Sequence, residues 1–459
     1  MPDISRLKKY KKVYMIGIGG VSMSGIAEIL NKWGYKVSGS DGSQSGQTDW
    51  LENNGIHVNI GHNAENITSD IDLLIYTAAI HEDNPERVRA KELGIPEVER
   101  GAFLGELTKL FKDTIGIAGT HGKTSTTSMV ANSFLEANLD PSIQVGAVLK
   151  SIDGNYRVGN SDYFIIEACE YSDSYLNFKQ RSAIVLNIDA DHLDYFGSID
   201  NIEKSFQEYV SHLPEDGYLV LNRDDERCYN LRNHSKASAI TVGKSNNSDW
   251  YYDNVTFDKD GYPTYDAYYK GEKRGTITLR VAGLHNVFNS LCCIALCDAY
   301  GIDINVVKEA LIKFDGASRR LEYKGKLNGA VVYDDYGHHP TEIKATAMGI
   351  LNKTFNESWV VFEPHTYSRL SEHLDEFADS LKSFDHIIVT KIYAAREINT
   401  FGISEEDMIK ALERHGKKAI CIMELEDVAK YLKENVKEND LVLTLGAGNV
   451  TKIATMITK

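Results

Sequence analysis

The chain has 459 residues, 42% hydrophobic and 25% charged, the balance of a water-soluble globular protein too long for a single core. Its formal net charge of −16 argues against general nucleic-acid binding, which needs a basic surface to neutralise phosphates, but leaves local phosphate binding open. No apolar run approaches the roughly 18 residues of a membrane span, and the basic start runs straight into a strand pattern without a cleavage signature, so a cytoplasmic location is expected.

Short apolar runs alternate with longer amphipathic ones, the signature of α/β layers. "KVYMIGIGG" reads as a strand, "MSGIAEILNKWG" as a helix closed by Gly34, and "YKVSGSD" and "DLLIYTAAI" as further strands. This first block is expected to span 1–107. A second, 108–314, opens with the strand "TIGIAG" and continues through strands "YFIIEACE", "SAIVLNIDADH" and "GYLVLNRDD". From Trp250 to Val281 the texture becomes β-rich with turns, predicting antiparallel strands attached to a parallel sheet. The helix "HNVFNSLCCIALCDAYG" carries Cys292, Cys293 and Cys297 in an apolar run, where free cysteine acts as a small hydrophobe. None of the six cysteines forms a C-x-x-C pair, so no disulfide framework or zinc site is expected. The third block, 315–459, holds strands "GAVVYDDY", "WVVFEP", "HIIVTK" and "LVLTLGAG" between amphipathic helices. Three α/β domains follow as the expected architecture.

The densest chemical signal is "GIAGTHGKTSTT", Gly116 to Thr127, between a predicted strand and a predicted helix. Gly119 and Gly122 can adopt backbone angles that let several N–H groups converge on one phosphate, and the helix N-terminus adds partial positive charge. Lys123 is placed to reach the β- and γ-phosphates and Thr124 to ligate Mg²⁺, although Ile117 stands where the general phosphate-loop pattern has glycine. Glu167 and Glu170 fall at one strand end, and Asp189, Asp191, His192 and Asp194 at another. In open α/β sheets ligands bind at such ends, so these groups are candidates for metal ions or, equally, solvated acids and helix caps. His285, Asn286 and Asn289 share one side of a helix start, as a polar cap or as readers of a base edge.

Together, "GTHGKTS" (Gly119 to Ser125), "GIGGVSMSGIAEIL", "DDYGHHPTE" and "PHTYSR" resemble the Mur ligase family, and the resemblance runs from the first strand to "LTLGAGNV". It implies an N-terminal Rossmann-like UDP-binding domain, a central P-loop ATPase domain with a mixed sheet and a C-terminal Rossmann-like domain. It also implies ATP and Mg²⁺ as cofactors, with UDP-N-acetylmuramate and L-alanine as small-molecule substrates joined through an acyl phosphate. The alternative inside the family is the recycling ligase, which attaches a whole tripeptide. Gly119, Thr120, His121, Gly122, Lys123, Thr124 and Ser125 are implied to hold ATP phosphates, His285, Asn286 and Asn289 the adenine, Asp335 the ribose. Glu170 and His192 are implied to join Thr124 as metal ligands, and Arg320 to reach the phosphates. Tyr336, His338, His365 and Arg369 are implied to lie near the amino acid, where Arg369 can grip a carboxylate in two parallel hydrogen bonds.

The first loop, "GIGGVSMSG" with Asp41 at the next strand end, imitates a dinucleotide fingerprint but has Ser22 in place of its third glycine. Backbone physics serves a nicotinamide dinucleotide or a UDP-sugar alike; the resemblance implies a UDP-sugar held by Gly19, Ser22, Ser24 and Gly25, with Asp41 and Thr77 nearby. A nicotinamide oxidoreductase would leave "GTHGKTS" without a purpose. A P-loop switch would leave the third block and "PHTYSR" unexplained.

Overall fold

The structure, a computed structural model, describes residues 7, 9–395 and 397–458; the Asp194 side chain lies outside the described residues. The chain forms two compact units. The first runs to Tyr251 and adds Tyr269–Glu272 and Asn289–Ala310; the second comprises Tyr252–Tyr268, Lys273–Phe288 and the chain from Leu311 onward.

In the first unit, β1 (Lys12–Ile16), β2 (Lys36–Asp41), β3 (His57–Ile60), β4 (Leu73–Tyr76) and β5 (Glu97–Glu99) form a parallel sheet in the order 3-2-1-4-5. Both faces of β1 are covered. Val13 and Met15 pack with Ile26, Ala27 and Leu30 of the helix Val21–Lys32, while Tyr14 and Ile16 pack with Ile67, Ile71 and Leu74. Burial on two faces explains why the strand reads as a continuous apolar run. The winding reverses between β1 and β4, so the crevice for a ligand opens at their carboxyl ends, where the first glycine loop and Thr77 stand.

The same unit carries β6 (Asp113–Ala118), β7 (Ser142–Leu149), β8 (Gly154–Arg157), β9 (Tyr163–Glu167), β10 (Ser182–Val185), β11 (Tyr218–Asn222) and β12 (Ser238–Gly243) in the order 12-11-10-6-9-7-8. All neighbours are parallel except β7 and β8. β7, β8 and β12 are strands the sequence reading does not single out. At the centre, a Cβ on Gly116 of β6 would lie 2.2 Å from the Tyr209 hydroxyl, so only glycine fits. The cysteines of the apolar helix Leu284–Ala299 are buried and free, as their texture predicts.

In the second unit, β14 (Pro263–Tyr269) contacts β13 (Trp250–Phe257) through Asn254–Asp266 and Thr256–Thr264, and β15 (Glu272–Thr278) through Asp266–Thr276 and Thr264–Thr278. Falling residue numbers on one strand meet rising ones on the next, so the ribbon is antiparallel, as expected. A further sheet contains β16 (Glu322–Leu327), β17 (Ala330–Asp335), β18 (Ser358–Phe362), β19 (His386–Val389), β20 (Ala419–Cys421) and β21 (Leu441–Leu445) in the order 16-17-21-18-19-20. Only β16 is antiparallel. Asp335 and Phe362 both register with Leu445, so β17, β21 and β18 end level and open a second switch-point crevice. No helix among the described residues is long and apolar enough to cross a membrane.

Candidate active site

The loop after β6 is shaped by two glycines. Gly119 has φ +131° and Gly122 φ +85°; a Cβ on Gly119 would lie 3.0 Å from the Leu186 backbone, and one on Gly122 3.0 Å from the Asn289 amide oxygen. Gly122 caps the helix Lys123–Glu136 in the left-handed conformation without a side-chain cap, leaving the first-turn N–H groups for a ligand. Asn187, just past β10, clips the loop: its Oδ1 accepts from the His121 N–H at 2.8 Å and its Nδ2 donates to the His121 carbonyl at 3.0 Å. The His121 ring meets Asp189 at 2.9 Å, and the Thr120 hydroxyl accepts from the Asp189 N–H at 2.9 Å.

Lys123 folds back over this loop. Its Nζ donates to the carbonyls of Gly119 (2.6 Å) and Thr120 (2.9 Å) and to Glu170 Oε2 (2.9 Å). Burial alone would lower its pKa, but the Glu170 carboxylate more than offsets that and holds the ammonium charged above its ordinary range. Glu170 is itself 2% exposed. The Thr124 hydroxyl donates to Glu167 Oε1 at 3.1 Å, and the Gly146 N–H donates to Glu167 Oε2 at 2.8 Å. A lysine, the buried Glu170 carboxylate, the half-buried Glu167 carboxylate and a hydroxyl therefore meet at one helix start. His192 takes a left-handed backbone, receives its N–H cap from Asp191 at 2.8 Å and lies against the Tyr171 ring at 4.8 Å, one residue beyond Glu170. Burial raises the intervening Cys169 thiol to about 11, so it is protonated and inert. Ser125 is half-buried on the same helix.

The first glycine loop is braced from three sides. Asp41 Oδ2 accepts from the Gly19 N–H at 2.9 Å, and Arg100 donates to the Ser22 hydroxyl at 3.1 Å. From β8, Asn155 donates to the Val21 carbonyl at 2.7 Å and Tyr156 to the Ser22 carbonyl at 3.2 Å. Gly25 abuts the Tyr156 ring so closely that a Cβ would lie 1.6 Å from it. The Ser24 hydroxyl turns inward to the Val21 carbonyl at 3.0 Å. Thr77 approaches Gly17 from the end of β4. Arg100, Asn155 and Tyr156 were not legible as part of this loop. Their signal is purely tertiary.

In the second unit, Asp335 ends β17 with Oδ2 accepting from the Leu321 N–H (2.7 Å) and Oδ1 from the Gly337 N–H (2.8 Å). Burial raises its carboxyl to about 6, against the pull of nearby Arg320. Arg320 stands over the Tyr336 ring at 5.4 Å and 3.8 Å from Glu342. Tyr336, His338, His365 and Arg369 form a continuous row: ring centroids lie 5.3 Å and 5.4 Å apart along the first three, and Arg369 Nη1 lies 3.1 Å from His365 Nδ1. Thr366 holds an unusual φ of +67° to start the helix Tyr367–Glu372 that carries Arg369. Burial, then Arg320, lowers His285 to about 4, so its ring is neutral, and Asn286 donates to the Ala282 carbonyl at 2.8 Å. His285 and Asn286 belong to this unit and Asn289 to the first, although one helix carries all three.

Three family models cover the chain: the Mur ligase family catalytic domain over residues 12–112, the Mur ligase middle domain over 117–297, and the Mur ligase glutamate ligase domain over 319–448. The chain is 46% identical over 442 residues to the UDP-N-acetylmuramate–L-alanine ligase of Lachnospira eligens, with 96% of each chain covered. It is 43% identical to the enzyme of that name from Caldanaerobacter subterraneus, with 97% of each covered. Among solved structures, UDP-N-acetylmuramate–alanine ligase from Thermotoga maritima matches with a TM-score of 0.85 at 28% identity, covering 97% of this chain and 98% of that one.

Proposed function

This chain belongs to the Mur ligase family, and we infer from that premise that it joins L-alanine to the lactyl carboxylate of UDP-N-acetylmuramate at the expense of ATP, in cytoplasmic peptidoglycan precursor synthesis. The observation that carries the reading is the near-full-length identity to relatives of that name. The loop chemistry supports it. We assign UDP-sugar binding to 1–107, ATP binding to 108–314 and the amino-acid site to 315–459. A carboxylate oxygen is a poor leaving group, so the lactyl carboxylate first attacks the γ-phosphorus of ATP, releasing ADP and giving an acyl phosphate. The uncharged amine of L-alanine then attacks the acyl carbon; the amide forms, phosphate leaves, and the amine gives up a proton.

Lys123, held by Glu170 and two carbonyls, is preorganised to meet the transferring phosphoryl oxygens, and Arg320 adds a second positive charge. Thr124, Glu170 and His192 would hold Mg²⁺: hydroxyl and carboxylate oxygens suit a hard cation, and the Thr124–Glu167 contact already gathers two of them at the loop. When bound, the metal would offset the negative charge of the nucleotide's phosphates. Gly19 and Ser22 receive the diphosphate of the UDP-sugar, with Gly25 and Ser24 packing the helix behind them, and Asp41 and Thr77 at its rim. Asp335 accepts from the ribose. Tyr336, His338, His365 and Arg369 form the alanine site, Arg369 gripping the carboxylate.

The test is phosphate release from ATP in the presence of UDP-N-acetylmuramate with L-alanine, glycine, L-serine or the tripeptide added separately. Release that requires the UDP-sugar and is strongest with alanine is expected. Strong release with tripeptide alone would move the assignment to the recycling reaction, and release indifferent to both cosubstrates would end the ligase reading.

A further inference from the structure

His365 and Arg369, assigned above to the amino-acid substrate, stand on a short and strained piece of chain. Arg369 rides on a helix of six residues, Tyr367–Glu372, too short to hold its direction by its own hydrogen bonds. Thr366, which leads into it, has φ +67° and ψ +147°, a backbone region almost reserved for glycine. A threonine stays there only when its surroundings fix it from outside.

Tyr393 and Glu397, both in the loop after β19, supply that hold. The Tyr393 N–H donates to the Pro364 carbonyl at 2.8 Å, and the Thr366 N–H donates to the Tyr393 carbonyl at 2.9 Å. One residue thus clasps the backbone of His365 on both sides, an isolated parallel bridge. The Tyr393 ring stacks on the His365 ring, with centroids 5.6 Å apart and planes 20° apart. It is hemmed in at Gly448, where a Cβ would lie 2.5 Å from it. Glu363 pins that loop in turn, accepting from the Asn449 N–H at 2.8 Å and the Val450 N–H at 2.7 Å. Glu397 acts on the helix. Its carboxylate accepts from the Ser368 N–H at 2.9 Å and from the Ser368 hydroxyl at 2.5 Å. That N–H is a first-turn donor the helix cannot satisfy itself, and Ser368 immediately precedes Arg369. All these residues belong to the second unit.

We propose that Tyr393 and Glu397 are positioning residues for the amino-acid substrate: Tyr393 sets the plane of the His365 ring, and Glu397 sets the helix that aims Arg369 at the substrate carboxylate. The proposal rests on the ligase reading, which places His365 and Arg369 at that substrate. Glu397 works through charge-assisted hydrogen bonds and Tyr393 through ring contact.

The experiment is phosphate release by the full chain, with the KM of ATP, of the UDP-sugar and of the amino-acid cosubstrate measured separately. The proteins compared are the unaltered chain, Glu397→Ala, Glu397→Gln, Tyr393→Leu and Tyr393→Phe. Glu397→Ala should raise the amino-acid KM about ten-fold and leave the other two unchanged. Glu397→Gln keeps an oxygen acceptor without the charge and should raise it about three-fold. Tyr393→Leu should raise it about five-fold, whereas Tyr393→Phe keeps the stacked ring and both backbone bonds and should retain the unaltered value. An amino-acid KM unmoved in Glu397→Ala and Tyr393→Leu, with a lowered melting temperature, would overturn the proposal, as would an equal rise in all three KM values. Tyr393→Phe matching Tyr393→Leu would overturn the stacking role. Should a truncation fail to fold, Glu397→Gln decides, and an amino-acid KM unmoved by it overturns the role of Glu397. Release that needs no amino-acid cosubstrate in the unaltered chain would instead end the ligase reading, and this proposal with it.

Discussion

Two glycine loops in the first unit solve one problem by different means. Each follows a parallel strand, turns through glycine and points a helix N-terminus into a crevice. The loop at Gly119–Lys123 carries its own cation and clamps it with the Glu170 carboxylate, and its cap, Gly122, is left-handed. The loop at Gly17–Ser22 has an extended cap at Gly20 and no cation of its own; Arg100 donates to it from outside, and it is propped by Asp41, Asn155 and Tyr156. Backbone N–H groups suffice to seat a diphosphate that stays intact. A phosphoryl group in transfer develops charge that needs a fixed counter-charge, and only the second loop supplies one.

Breaking that asymmetry at Lys123 should have the largest effect. Lys123→Ala is expected to cut ligation by ~10²–10³ while leaving UDP-sugar affinity unchanged, read by phosphate release and by equilibrium titration of the UDP-sugar. It also strands Glu170 in a buried position, which should cost roughly 3–5 kcal/mol of stability. Lys123→Ala with Glu170→Gln should recover much of that stability and none of the rate. Recovery of rate would show that Lys123 serves the fold alone.

The opposite substitution strikes the first loop. In Gly25→Val the new side chain must displace the Tyr156 ring, at an expected cost of roughly 1–3 kcal/mol by thermal melting. The UDP-sugar KM should rise while the ATP KM holds. An equal rise in both would mean that the two loops are not independent.

Protonation offers a gentler probe of the nucleotide side. Asp335 ionises near 6 when folded, above the ordinary carboxyl range of about 4 in an unfolded chain. Its contribution to stability is therefore full below about pH 4 and is lost as pH rises through 6. Binding runs the other way, because the ionised form is the better acceptor for a ribose hydroxyl. The ATP KM should rise as pH falls through 6, and Asp335→Asn should flatten that profile without touching the pH dependence of the UDP-sugar KM.

How much of this was legible follows the same divide. The Gly119–Thr124 loop is local: strand, glycines, lysine and helix are consecutive, so sequence alone carries its mechanism. The sheets were legible wherever both faces are apolar, as in β1, β6 and β21. β8, with "GNYR", is four residues long and half polar, and it exists because it pairs with β7 and braces a loop more than 130 residues earlier. No periodicity encodes that. Ser24 reads as a ligand by its place in the motif, but its hydroxyl is spent on its own helix. The row from Tyr336 to Arg369 joins two strand ends that only sheet order brings level.

The smallest expected effect isolates this tertiary bracing. Tyr156→Phe removes one hydrogen bond, 3.2 Å long, to the Ser22 carbonyl and leaves the ring that packs against Gly25. One neutral hydrogen bond contributes about 1 kcal/mol, so UDP-sugar affinity should fall about five-fold if the bond orients the loop. The melting temperature should drop only slightly, and the ATP KM should not move. A fall in stability without a fall in UDP-sugar affinity would mean that the hydroxyl supports the fold and that the backbone finds its diphosphate geometry unaided. That result would make the first loop as self-sufficient as the second, and Lys123 the sole chemical difference between them.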